Sequence, residues 1–319
     1  MTERPWSRPV VDATEAVRRV VGGELDAPLG DRTTYRVGGP AALLVTVISA
    51  DDLIDLGAAV RREGLPVLAL GQGSNLLVSD AGFPGVALTF AGDLDELEIV
   101  DGTVRAGAAV RLPVLARRTT AAGWRGLEWN VGVPGSVGGV VRMNAGGHGR
   151  DTAASLLRVR LHDVATGQDE VVDAAALELG YRRSNVASHH VVVWAEHHVS
   201  LGDVEAGEQM ISEIVQWRRD NQPGGSNAGS VFTNPVDDSA GRLVDSVGLK
   251  GFRVGTAEVS TRHANFIQAD TGGSAEDVLE LMEELQRRVE SAADVRLVPE
   301  TVLVGFDPDR VAAIKGARG

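Results

Sequence analysis

The chain of 319 residues contains no cysteine. That absence excludes disulfides, Cys-ligated zinc, a thiolate nucleophile and a cysteinyl bond to a flavin. Aromatic residues are scarce at 4%, and the two tyrosines are Tyr35 and Tyr181. Lysine occurs at Lys250 and Lys315 alone, so nearly all positive charge is arginine, whose planar fork pairs bidentately with carboxylate and phosphate. A net charge of −13 argues against nucleic-acid binding, which needs a basic stripe to displace counterions. No run of about 18 apolar residues is present to span a membrane. The opening MTERPWSRPV lacks the apolar centre of a signal peptide. A cytoplasmic monomer that binds neither nucleic acid nor membrane is the default expectation.

Glycine, at 39 residues, is concentrated in three widely separated loops. They are Gly71-Gln72-Gly73-Ser74-Asn75, then 132–139 running on to 144–149, then Gly224-Gly225-Ser226-Asn227-Ala228-Gly229-Ser230. Glycine serves where backbone takes positive φ or lies against a ligand, and successive N–H groups in such turns form nests for phosphate. Three such loops with interspersed Ser and Asn point to a large ligand carrying a diphosphate. Simpler explanations fail. A Rossmann fingerprint after the apolar run 65–70 would need glycine at position 76 and a helix opening there, but Leu76-Leu77-Val78 continues as strand or turn. No Gly-Lys-Ser/Thr occurs for a P-loop, and Pro134 stands where a hydrolase elbow needs its first glycine. His189-His190 and His197-His198 flank an apolar strand with no carboxylate in register, and read as surface histidines rather than metal ligands.

Periodicity predicts helices at 51–63, 112–122, 208–219 and 274–292, the last with Ser274 as N-cap and an apolar face of Val278, Leu281, Met282, Leu285 and Val289. Short strands are predicted at 65–70, 87–90, 97–100, 103–106, 159–163, 170–172, 191–195 and 297–305. A polar break falls at 201–207, and the tail 307–319 reads as loose. The mixture indicates α+β rather than a regular doubly wound sheet.

The ordered segments TYRVGG (34–39), GQGSNLLVSDAGFPG, GVPGSVGGVVRMNAGGHG, GYRRSN, NAGSVFTNP, GLKGFRVG, STRHANF and LVPETVLVG resemble the UDP-N-acetylenolpyruvoylglucosamine reductase (MurB) family over nearly the whole chain. The resemblance implies an FAD-binding region of vanillyl-alcohol-oxidase (PCMH) type in two subdomains, followed by a C-terminal α+β substrate domain. Projected here, the segments are 1–24, 25–204 (divided near 85), 205–306 and 307–319. It also implies NADPH as reductant of a non-covalent FAD, and a UDP-sugar enolpyruvyl ether as the acceptor. Cofactor contacts would come from Gly71, Gly73, Ser74, Asn75 and Leu76. A second group is Val133, Pro134, Gly135, Ser136 and Gly139, with Asn144, Gly146 and His148 beyond it. Reduction of the alkene leaves carbanion charge beside a carboxylate, which needs a cation and a proton donor. By resemblance Arg182 holds the carboxylate, Ser230 donates the proton and Glu300 stands beside the reacting centre; Tyr181, Asn234, Arg218 and Lys250 fall to the substrate.

Taken singly these residues have plainer readings. Arg182 could pair on the surface with Glu178 or Glu196, Ser230 could be a turn residue, and Glu300 the exposed member of a strand. His263 and Asn265 read as structural. Thr233 stands where the family often has lysine, and His148 where it usually has tyrosine. The lack of any tyrosine after 181, with the 48-residue interval from Arg182 to Ser230, matches the subtype without a tyrosine-bearing lid. Another FAD oxidoreductase of the same fold and a non-catalytic nucleotide-sugar binder stand as the alternatives.

Overall fold

A computed structural model describes residues 5–316. The chain opens with helix α1 (Arg8–Val21), whose Val17 is fully buried. It packs with α2 (Asp52–Glu63) on a four-stranded sheet of strands 24–28, 40–47, 83–90 and 67–69, in that spatial order. Leu53, Leu56 and Val60 of α2 meet Leu43, Val45, Val86 and Leu88 of the sheet. The 83–90 strand runs parallel to both neighbours, which explains its near-continuous apolar run under the helices. α2 begins with Asp52 and Asp55 in its first turn and closes at Gly64 in the left-handed region, as its sequence signals require.

A second region is a five-stranded antiparallel sheet in the order 169–173, 156–163, 190–198, 103–107, 97–100. Its core includes Val104, Val159, Val192 and Ala195, together with Leu112 and Leu115 of α3 (Leu112–Ala121) and Val137 and Val141 of α4 (Val137–Met143). The predicted break at 201–207 is not a break. Helix α5 (Val204–Asn221) starts inside it, because the Asp203 carboxylate accepts from Ala206 N–H as N-cap. Gly207 is buried within that helix, where a Cβ would press on the Thr120 side chain.

The third region holds α6 (Ala240–Ser246), a small sheet of strands 253–254, 257–259 and 267–269, and α7 (Ala275–Ala293). Val278, Leu279, Leu281, Met282, Leu285 and Val289 of α7 are buried, each contributing roughly 1.5–3 kcal/mol of transfer free energy at full burial. Ser274 caps α7 as its sequence predicts, accepting from the N–H groups of Glu276 and Asp277. The loose tail is corrected as well. Residues 308–315 form α8 (Pro308–Lys315), capped by Asp307 with Pro308 in its first turn, and Ile314 is buried in the α7 core. The buried amide of Gln286 donates to Ile314 O and Leu297 O and fastens this end.

This third core is not self-contained. Tyr35, Val37 and Leu77 from the first region are part of it. The predicted strand 297–305 shrinks to Val302–Val304 and pairs in parallel with Leu76–Val78. Asp80 accepts from Ser274 Oγ and Ala275 N–H at the start of α7. The C-terminal segment therefore returns to the first glycine loop, and this return closes the site.

Candidate active site

The glycine loops meet around a cavity of about 740 Å³, inside the range of roughly 300–1,000 Å³ for cofactor and ligand sites. Its first wall is the loop 71–76. Gly73 has φ +60°, and a Cβ there would run into the Arg32 carbonyl, so only glycine closes this turn. Ser74 Oγ donates to Pro134 O at 2.9 Å, binding the first loop to the second. Gly135 lies at φ +142° facing Ser74 Oγ. Val133, Pro134, Ser136, Gly139, Gly146 and Leu76 also line the cavity. Beyond the residues expected to contact the cofactor, Gly132, Arg142, Gln222–Gly225 and Asn227–Gly229 also face it. Arg142 lies on the helix that follows the second loop, and short glycine-bearing VGGVVRM gives no helical period to show which side faces inward.

These walls suit FAD. They are backbone packed closely at glycine, three guanidinium groups (Arg142, Arg182, Arg218) face the space, and Glu300 is the single carboxylate among the lining residues. Burial lowers the pKa of both Arg142 and Arg218. A ligand with a diphosphate would relieve that cost by supplying the missing counter-charge.

The catalytic candidates converge at one end. Gly180 and Arg183 exchange backbone hydrogen bonds of 2.9 and 3.0 Å, forming a tight turn with Tyr181 and Arg182 at its centre. Arg182 sits at φ +52°, a conformation costing about 1–3 kcal/mol that clusters at functional sites. Its Nη2 donates to Gly146 O at 3.0 Å, and its Nε lies 2.9 Å from Glu300 Oε1. That second contact is close in distance but poorly aligned, because the buried Nε–H finds no hydrogen-bond acceptor. Of the two anticipated surface partners, Glu196 is held instead by Arg105 and Arg158. Burial raises the pKa of Glu300 and the Arg182 charge opposes the rise.

Ser230 reaches the same place through a clamp. Val231 N–H donates to Asn265 O, and the Asn265 side chain makes both bonds to the backbone of Phe232. Glu300 N–H donates to Val231 O at 2.8 Å, which sets Glu300 beside Ser230. Asn75 Nδ2 donates to Glu300 O at 3.2 Å, so this residue fixes the Glu300 backbone as well as lining the cavity. Asn265 is structural, as its sequence context suggests.

A second pocket of about 400 Å³ shares Ser230 with the first. Asn234 and Lys250 lie here, with Arg242, Arg262 and His263, none of which had been expected at the site. Burial, helped by Lys250, lowers the pKa of His263. Other expectations shift. Asn144 does not line the cavity: it is buried, and its amide bonds Gly180 O, Asp151 and Ala153 N–H, so it braces the Arg182 turn. His148 also stays outside, its ring packed over Gly132 and edge-on to Trp217 at 5.1 Å. Tyr181 is exposed, with the Arg182 guanidinium over its ring at 5.2 Å.

The histidine reading needs two corrections. His197 is buried beside Ser155, its pKa lowered to about 4 by burial. Asp163, expected to be absent, lies 3.8 Å from His189 and 4.0 Å from His190. Its oxygens are already taken by the 163–166 turn, and His190 Nδ1 accepts the Ala187 N–H, leaving the proton on Nε2 where a metal would bind.

Two families match the chain, "FAD binding domain" over residues 41–173 and "UDP-N-acetylenolpyruvoylglucosamine reductase, C-terminal domain" over 221–304. The chain is 42% identical over 313 residues to the UDP-N-acetylenolpyruvoylglucosamine reductase of Anaeromyxobacter dehalogenans, covering 95% of this chain and 92% of that protein. It is 40% identical to the enzyme of the same name from Parasynechococcus marenigrum, covering 88% and 95%. The chain belongs to the UDP-N-acetylenolpyruvoylglucosamine reductase (MurB) family. The crystal structure of the reductase from Thermus caldophilus aligns with a TM-score of 0.75 at 36% identity, covering 87% of this chain and 97% of that one. Family membership bears out the α+β fold with its FAD-binding region. Among the described residues no helix is long and apolar enough to cross a membrane.

Proposed function

We propose that this member of the family reduces UDP-N-acetylglucosamine enolpyruvate to UDP-N-acetylmuramate with Arg182, Glu300 and Ser230, which all face the larger cavity, Ser230 facing the smaller as well. The loops 71–76 and 132–139, with Arg142 and Arg218, would hold FAD in the larger cavity, where it would supply the two-electron chemistry that links NADPH to the enolpyruvyl double bond. Arg182 holds the substrate carboxylate and the negative charge that builds beside it, where a rigid fork loses little freedom on binding. Ser230 Oγ gives its proton to the carbon bearing the ether oxygen. The acceptor is a strongly basic carbanion, which compensates for serine's weak acidity. Asn75 and Asn144 hold Glu300 and Arg182 in place through their backbones. Asn234, Lys250, Arg262 and His263 offer the UDP diphosphate a basic pocket, and replace the charge that Thr233 does not bring. Arg218 serves the larger cavity. The net charge of −13 opposes self-association, supporting a monomer.

The observation that carries this reading is the convergence of Arg182, Glu300 and Ser230 from three distant segments on one cavity. Anaerobic NADPH should bleach the yellow holoprotein. UDP-N-acetylglucosamine enolpyruvate should then restore the oxidised spectrum with one equivalent of product. Reoxidation by oxygen alone, with the UDP-sugar inert, would assign the chain to another flavin reaction.

A further inference from the structure

Arg182 stands against a carboxylate of the chain itself, that of Glu300. The pairing is a loose one. Nε stands 2.9 Å from Glu300 Oε1 yet its N–H has no aligned acceptor, while Nη2 is anchored on Gly146 O. The anchor and the Tyr181 ring fix where the guanidinium is, and Nε–H is left as the donor that an incoming acceptor can take. Among the described residues Arg182 is the one cation that acts on Glu300: Arg142 and Arg218 line the cavity from α4 and α5 but do not. Asn75 donates to its carbonyl, and its N–H donates to Val231 O, next to Ser230.

Resting on the reading above, in which the substrate brings a carboxylate to Arg182, we propose that the Arg182–Glu300 pair is a carboxylate exchange. The substrate carboxylate takes the guanidinium, and Glu300, losing its counter-ion beside a second anion, binds one proton from solvent. Two carboxylates sharing one arginine in a half-buried site cannot both stay ionised at low cost. Burial already raises the pKa of Glu300 while Arg182 holds it down, so removing that restraint moves it further in the same direction. The balance is simple. One proton leaves the solvent, no covalent bond to carbon changes, and a neutral Glu300 carboxyl then stands beside Ser230. Reduction of the double bond consumes one proton overall, and this exchange brings it in at binding. Glu300 becomes the group that restores the Ser230 hydroxyl after it has given its proton away.

The test is calorimetric titration of the oxidised, FAD-loaded protein with UDP-N-acetylglucosamine enolpyruvate in buffers of different ionisation enthalpy, repeated across neutral to mildly alkaline pH. UDP-N-acetylglucosamine is the comparison ligand. It carries the same diphosphate, so any proton taken up by His263 in the second pocket or by His148 near Arg218 appears with both ligands and cancels. The enolpyruvyl ligand should take up as much as one proton more, and its Kd should rise by up to tenfold per pH unit in the window where uptake is seen. In Glu300→Gln that excess should vanish. Equal uptake by the two ligands in the unmodified protein would overturn the exchange, as would an excess that survives Glu300→Gln. Binding of neither ligand would instead bring down the proposed function itself.

Discussion

The two pockets that meet at Ser230 are built from different materials. The larger is walled by backbone: Gly71, Gly73, Gly132, Gly135, Gly139 and Gly146 face it, and its charged lining residues are Arg142, Arg182, Arg218 and Glu300. The smaller is walled by charged side chains, Arg242, Lys250, Arg262 and Asp245 among them, several already paired within the protein, as Lys250 is with Asp245 at 2.7 Å. A backbone wall is fixed by the fold and suits a cofactor that stays. A side-chain wall can exchange internal partners for ligand and suits a molecule that must leave each cycle. Under the proposed function, the difference means that one chain holds two diphosphates on opposite terms, one by shape and one by replaceable charge.

If that contrast is right, damage to the two walls should have unlike consequences. The largest effect belongs to Gly135→Val. A branched side chain at φ +142° against Ser74 Oγ should leave a folded protein with little or no flavin, read from absorbance near the flavin band against circular dichroism. Full flavin occupancy in this variant would show that the loop does not touch the cofactor. Next is Arg182→Ala, which removes the substrate's cation and strands Glu300. It should lower kcat/KM by on the order of 10²–10³-fold, acting on reoxidation by the UDP-sugar while reduction by NADPH proceeds.

Acid should weaken the cofactor side through His197, buried in the five-stranded sheet. Its folded pKa of about 4 lies below the ordinary histidine value, so the unfolded chain binds the proton first. Stability contributed by the neutral ring is complete above about pH 6.5 and is lost as pH falls toward 4. The loss amounts to about 3 kcal/mol, seen as a falling urea midpoint that flattens in His197→Gln. The smallest effect should come from Lys250→Ala in the side-chain wall. This exposed, paired lysine should raise KM for the UDP-sugar about tenfold with kcat nearly unchanged. A loss of flavin from Lys250→Ala would erase the proposed division between the walls.

What was legible in the sequence was whatever is local. Helix α7 could be read because its cap, Ser274, and its apolar period lie within one segment, and tertiary packing agrees with both. The failure of the Rossmann pattern at Leu76 was equally local, and residues 76–78 are indeed a strand. The stretch 201–207 reads as a break because it is polar and carries Gly202 and Gly207, yet Asp203 caps α5 within it. α8 was missed although Asp307 and Pro308 announce it, since eight residues whose large apolar side chains are Val311 and Ile314 show little apolar period. The site itself was legible only through the ordered motifs. Nothing near Arg182 announces Glu300, because their pairing depends on the C-terminal strand returning to Leu76–Val78. The basic lining at Arg242, Arg262 and His263 was hidden for the same reason, each being an ordinary polar residue in its own segment.

The central claim is that Ser230, at the join of the two walls, acts after electrons have left the cofactor space. Stopped-flow absorbance of Ser230→Ala separates the two halves directly. The account predicts reduction of the bound flavin by NADPH at close to the parental rate. It predicts reoxidation by UDP-N-acetylglucosamine enolpyruvate slowed by about 10²–10⁴-fold, the contribution of a positioned acid. Reoxidation at the parental rate would contradict it and pass the role of proton donor to Glu300.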